Sequence, residues 1–232
     1  MMHSNPPSKN VNGFTLVELL IAISILSMLL ATATYSYSIV AAKWEKVLNN
    51  FSESAARTKH IDFAYQIIAG IQSYVVKDST GKPAFFFVGH EDRLLATTYH
   101  GIFSDAPEIF RLSALEKENG KFDLVYQSLS TDEVFITTSD QEVSFETATV
   151  LLTDLDSVQF EYFGWRHVYE KTDDEGNGYK PVWQESYSGI TARYMPSKIS
   201  LILVKNELPL KFVVDLQTDV ETWLSPYSDS DT

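Results

Sequence analysis

One carboxylate in this 232-residue chain stands where a charge is hard to hold. Glu18 lies in an apolar stretch that begins at Phe14 and carries no other charge until Lys43. A charge inside a membrane-length segment costs roughly 2.5–3.5 kcal/mol on insertion scales, so Glu18 needs a partner or an assembly role. The residues around it read Gly13-Phe14-Thr15-Leu16-Val17-Glu18-Leu19-Leu20.

Other groups could do chemistry. Asp173, Asp174, Glu175 and Asn177 alternate with Gly176 and Gly178. They offer the hard oxygen donors that calcium takes. The run lacks the terminal bidentate glutamate of an EF-hand, and a solvated turn is its simpler reading. His90-Glu91-Asp92 follows Gly89 and reads as polar surface in a turn. His60 and His100 have no H-x-x-x-H or H-E-x-x-H partner, so zinc hydrolysis has no support. Neither a G-x-S-x-G nucleophile elbow nor a G-x-x-x-x-G-K phosphate loop occurs. The chain is read as a non-enzyme without a cofactor, with calcium the one candidate ligand.

Composition narrows the classes further. Eighteen Lys and Arg stand against 31 Asp and Glu, a formal net charge of −13. Nucleic-acid binding is not expected, because phosphate contacts need a basic surface. With no cysteine, disulfides, thiolate metal sites and cysteine nucleophiles are excluded. The core alone must hold the fold.

These groups need elements to position them. Phe14 to about Ala31 makes about 27 Å of helix at 1.5 Å per residue, close to a hydrocarbon core of about 30 Å. Tyr35 and Tyr37 suit the membrane interface. Charge gives little orientation, since Lys9 precedes the segment and Lys43 and Lys46 follow it. Between Pro7 and Pro83 there is no proline, and Gly70 is the only glycine between Gly13 and Gly81, so one helix is expected to reach about Val76. Trp44, Val47, Leu48, Phe51, Ala55, Tyr65, Ile68, Ile71 and Val75 recur at helical spacing as one stripe. Strands are expected at 84–88, 94–99, 108–112, 122–129, 134–138, 150–152, 157–165, 198–204 and 210–216. Within these, Ser157 to Phe163 alternates apolar and polar, so one face should be buried. Residues 169–189 read as a long polar loop. Residues 225–232 form an acidic tail too poor in apolar groups to order itself.

The Gly13–Leu20 string resembles the class III signal of type IV prepilins and pseudopilins. The resemblance implies that a prepilin peptidase cuts between Gly13 and Phe14, removes the leader 1–13 and methylates the new amine of Phe14. Without Lys9 the mature chain carries −14. Glu18 would then pair with the amine of a neighbouring subunit as the chain leaves the bilayer for a filament. An ordinary secretory signal, with Ala31-Thr32-Ala33 as its cleavage site, and a plain single-pass anchor both leave Glu18 unexplained.

The later blocks Val150 to Tyr162 and Met195 to Leu203, with Trp183 in the loop between them, resemble the J-type (GspJ-type) minor pseudopilins of type II secretion. Met195 stands where leucine is usual, Leu155 stands near the usual valine, and the loop is longer. The expected fold is α+β and pilin-like, a long N-terminal helix packed on antiparallel sheet. Its first half, 14–42, would span the bacterial inner membrane once, and 43–224 would form a periplasmic domain. The implied partners are prepilin peptidase, the I-type and K-type minor pseudopilins and the major pseudopilin. The implied role is at the tip of a pseudopilus that drives protein export. A minor type IV pilin, serving pilus priming, adhesion or DNA uptake, would share the anchor, though many close a loop with a disulfide. A membrane-anchored exported enzyme is the remaining class.

Overall fold

Thr15 opens the first element, helix α1, Leu16–Ala69. The computed structural model describes residues 15–146, 148–171 and 179–216, with the side chains of 41, 42 and 44–57 left out. The leader, Gly13, Phe14, the acidic tail and the run Asp173 to Asn177 lie outside the described residues, as do the side chains of Trp44, Val47, Leu48, Phe51 and Ala55. The chain divides into two compact units, Met1–Ala55 and Ala56–Thr232.

In the second unit the helix stops at Ala69, seven residues short of the expected end. Gly70 is the physical reason. A Cβ there would stand 2.6 Å from Thr98 Oγ1 and 2.8 Å from His100 Cβ, so the backbone passes a strand at a distance only glycine allows. Thr98 Oγ1 donates to Ile67 O at 2.9 Å, satisfying one terminal carbonyl of the helix. Ile71 and Val75 therefore belong to strands β1, Ile71–Gln72, and β2, Val75–Lys77. The buried helical stripe is Ala64, Ile67 and Ile68, with Ile61 beside it. Tyr65 sits on its flank, half-exposed and edge-on to Phe212.

Strands β3 (Pro83–Phe85), β4 (Val88–Gly89), β5 (Arg93–Thr98), β6 (Glu108–Glu116), β7 (Phe122–Ser130) and β8 (Thr149–Leu155) follow. Then come β9 (Ser157–Gly164), α2 (Val168–Lys171), β10 (Val182–Gln184), β11 (Tyr187–Ser188), α3 (Gly189–Ala192), β12 (Lys198–Lys205) and β13 (Leu208–Asp215). One sheet runs β11-β4-β5-β6-β7-β8, with β1 also on β5; a second runs β10-β9-β12-β13; β2 and β3 form a hairpin. The pairings between these strands are antiparallel. The α+β arrangement expected from the sequence is present.

Two further expectations fail. Residues 134–138 form no strand; Thr138 makes an isolated parallel bridge to Lys77, and Ile136 packs with Val76, Phe86 and Ile109 on the outer side of the first sheet. The burial of Ile136 and the backbone bonds between Lys77 and the 137–139 stretch give five residues of β-like composition a place without a ladder. Residues 169–189 are not one loop, since most of α2 and all of β10 and β11 fall within them. Trp183 lies on β10 against Phe163, ring centroids 5.3 Å apart, and Tyr187 is buried edge-on against Phe87. Strands of two and three residues are too short for a period to show in sequence.

The core lies between α1 and the inner faces of both sheets. Leu94, Phe110, Leu112, Leu124 and Tyr126 come from the first, and Phe160, Tyr162, Ile199 and Leu201 from the second. The alternation read in β9 is realised, with Val158, Phe160 and Tyr162 inward. Each fully buried large side chain contributes about 1.5–3 kcal/mol.

The passage from sheet to sheet is one residue, Asp156, between β8 and β9. Lys121 pairs with it, Lys117 reaches Asp154 at 2.5 Å and Asp123 at 3.0 Å, and Lys205 Nζ donates to Thr153 O at 2.7 Å. The Lys117 and Lys121 hydrogen bonds hold the Asp154 and Asp156 carboxyls, respectively, below the usual aspartate range. Three chain reversals are thereby tied at one corner.

Candidate functional site

The first turn of α1 carries the chemistry singled out above. Glu18 Oε2 accepts from the backbone N–H of Thr15 at 2.9 Å and from its hydroxyl at 3.0 Å, while Glu18 N donates back to Thr15 Oγ1 at 3.3 Å. This is a capping box, two donors at a helix start satisfied reciprocally. It also sets a carboxylate at the positive end of the helix dipole, where negative charge is favoured. Thr-x-x-Glu before an apolar run was legible at Thr15–Glu18 and was missed, because the carboxylate was sought a partner outside the chain.

Beyond the box, Leu16–Val40 is a helical stretch of 25 residues, long and apolar enough to cross a membrane. Most of its serine and threonine hydroxyls bond carbonyls of the same helix. The hydroxyls of Ser24, Ser27 and Thr34 donate to the carbonyls of Leu20, Ile23 and Leu30, each at 2.8 Å. In lipid, where no water competes, that internal bonding is what lets hydroxyls sit in a span. Tyr35 and Tyr37 are exposed near its end. The stretch fits a membrane anchor.

Residues 8–34 match the family model for the prokaryotic N-terminal methylation motif. The N-terminus is type IV prepilin-like. The match takes in Gly13, Phe14, Thr15 and Glu18, so the capping box falls inside it. A search of curated proteins returns no match to the chain. A prepilin-like N-terminus implies processing by a prepilin peptidase and assembly with other pilin-like subunits, and it points to a structural protein rather than an enzyme.

The remaining candidates are scattered. His60 donates through Nδ1 to Leu151 O at 2.7 Å, which ties α1 to β8 at the end of the first sheet and fixes the tautomer, since a carbonyl only accepts. His90 N donates to Arg93 O in the β4–β5 turn, and Glu91 is engaged there through its carbonyl, which accepts from Phe160 N. His100 lies against Gly70. Among the described residues, no group of three His, Cys, Asp or Glu side chains could hold a metal ion.

Sequence reading also missed Glu108. It is fully buried, accepts from the N–H groups of Phe103 and Ser104 at 2.7 Å each, and accepts from the Tyr126 hydroxyl at 2.5 Å. Burial, reinforced by Glu108, pushes the Tyr126 phenol far above its ordinary value, so Tyr126 stays a donor. This pairing locks loop 101–106 onto β6 and leaves Phe103 exposed on the surface. No local pattern announces such a group, because its donors are backbone amides of a loop.

Proposed function

We propose that the chain is a J-type minor pseudopilin, a tip subunit of a type II secretion pseudopilus that helps nucleate the filament driving proteins across the outer membrane. The methylation motif over residues 8–34, with Glu18 as the one charge in an apolar 25-residue stretch, carries the pilin-like part of the reading, and the resemblance of 150–162 and 195–203 to J-type minor pseudopilins supports the finer part. On this reading the peptidase cuts between Gly13 and Phe14 and methylates Phe14. The capping box holds Glu18 in the first turn of the helix, four residues along the chain from Phe14, ready to meet the amine of a neighbouring subunit. The α+β unit would lie in the periplasm, against I-type and K-type minor pseudopilins, with the major pseudopilin stacking below.

A minor type IV pilin is the second reading, because the same motif begins both kinds of subunit. The absence of cysteine favours the pseudopilin modestly, since a disulfide-closed loop is common in the pilins. Calcium at Asp173, Asp174, Glu175 and Asn177 remains a proposal, which calorimetric titration decides: no heat at millimolar calcium removes it.

The test of function has two stages. Co-expression with a prepilin peptidase should give a mature chain starting at N-methylated Phe14 by intact mass, and Gly13→Val should abolish it. The processed chain should then co-purify with I-type and K-type pseudopilins as a ternary species by light scattering. Binding to type IV minor pilins instead would move the protein to a pilus.

A further inference from the structure

The outer face of the first sheet carries a basic strip on an acidic chain. Strand register sets Ser188, Val88, Leu95, Arg111 and Gln127 in one row across β11, β4, β5, β6 and β7. Two residues along, on the same face, Arg93 stands opposite Ser113. Arg93 and Arg111 are therefore diagonal neighbours on adjacent strands, roughly 7–8 Å apart at their bases. The alternate residues Leu94 and Leu112 point into the core.

A depression of about 440 Å³ lies over Arg93 and Arg111. A second, of about 260 Å³, shares Val88 and His90 with it and adds Arg166, Gln184 and Tyr187. Three of the five arginines in the chain thus line one connected surface. Asp92 is the single carboxylate in either lining. Arg193, elsewhere, is paired with Asp78 at 2.7 Å, whereas among the described residues the guanidinium groups of Arg93, Arg111 and Arg166 make no ion pair, and the Glu170 carboxylate is engaged by the Arg166 backbone N–H at 3.0 Å. The Arg111 guanidinium lies 4.7 Å above the Phe145 ring, which holds its plane in place. The Tyr187 hydroxyl is buried with no hydrogen-bond partner among the described residues.

Guanidinium groups present a planar fork that matches a carboxylate. Here Arg93 and Arg111 lie on adjacent strands and Arg166 lies in the turn after β9, spread rather than converged on one point, which suits several carboxylates in a row better than one phosphate. From β11 to β7 the strip crosses four strand spacings, about 19 Å, the length of roughly six extended residues. We propose that this face docks an extended, acidic segment of a partner protein, with its carboxylates on Arg93, Arg111 and Arg166. The proposal uses only residues of the second unit and stands apart from the filament reading.

Fluorescence polarisation with the full chain in neutral detergent and a labelled hexaglutamate peptide tests it. Binding is expected at low salt, falling as salt rises. Arg93→Glu with Arg166→Glu should weaken it by about tenfold or more, and Lys211→Glu, on the other sheet, should leave it unchanged. Both arginine positions are solvent-facing, and an unaltered thermal melt by circular dichroism shows that the double variant folds. Absence of salt-sensitive binding, equal binding of hexaglutamine, or full binding by the folded double variant overturns the proposal. Capture on phosphatidylglycerol vesicles without peptide binding overturns it in favour of a lipid surface.

Discussion

The same aliphatic residues are treated in opposite ways by the two units. In the first, Leu16, Leu20, Ile25, Leu26 and Leu30 are 56–81% exposed. In the second, Leu94, Leu112, Leu124, Ile199 and Leu201 are fully buried. Twenty-five consecutive helical residues this apolar fit a membrane anchor, which takes its apolar surroundings from outside the chain, whereas the second unit makes its own. The apolar helix thus looks outside the chain for its burial, and the sheets depend on one another.

The largest expected effect that tests this contrast is in the second unit. Phe160 is fully buried on β9 between the two sheets. Phe160→Ala should cost about 3–5 kcal/mol, the loss of its transfer energy plus a cavity. Urea denaturation followed by tryptophan fluorescence measures it. Membrane retention of the full chain should not change, and if it did, the independence of the two regions would be wrong.

The next effect runs the other way. Leu26→Arg puts a second charge near the middle of the span, at roughly 2.5–3.5 kcal/mol on insertion scales. Carbonate extraction of membranes should then release the protein, while the urea midpoint of the second unit stays put. Glu18 escapes this fate because it stands in the first turn, where Thr15 and the helix dipole answer its charge.

Legibility followed the distance along the chain to each group's partners. The span, Glu18 and the alternating strand β9 were visible in sequence because each depends on neighbours along the chain. The helix end at Gly70 was misplaced because it is set by Thr98 and His100, about thirty residues away. The short strands β10 and β11 were invisible because their partners, β9 and β4, supply the order that two or three residues lack. Glu108 went unseen for the same reason. The Thr15–Glu18 box is the exception: its signal was local and was passed over.

A smaller effect separates the units by pH. Asp154 and Asp156 are held below their ordinary range in the folded state, chiefly by Lys117 and Lys121. The unfolded chain therefore binds more protons in that window, and stability rises with pH through it. The contribution is fully present above the ordinary aspartate pKa of about 3.9 and is lost as the pH falls through the lowered folded values. Denaturation at pH 7 and pH 3 should show Asp154→Asn with Asp156→Asn less stable than wild type at pH 7, with the gap narrowing at pH 3. A gap that stays constant would mean that the corner acts by packing rather than by charge.

The smallest effect lies at the same corner and should stabilise. Lys205 pairs with Leu208, so β12 and β13 are joined by two residues, Asn206 at φ 54° and Glu207 at φ 64°. Two successive positive φ values are those of a type I′ turn, the two-residue link whose twist matches a hairpin and whose second place favours glycine. A left-handed conformation costs a residue with a Cβ roughly 1–2 kcal/mol, and Glu207 bears that strain. Its N–H donates to Asp156 Oδ2 at 3.1 Å, a bond that needs the backbone and not the side chain. Glu207→Gly keeps that bond and relieves the strain, offset in part by the greater freedom of glycine in the unfolded chain. The net gain should be less than about 1 kcal/mol, read as a raised urea midpoint with the slope unchanged. A lowered midpoint would mean that the Glu207 side chain contributes more than its backbone strain takes away, and that this corner of the second unit is held by more than the ion pairs around Asp156.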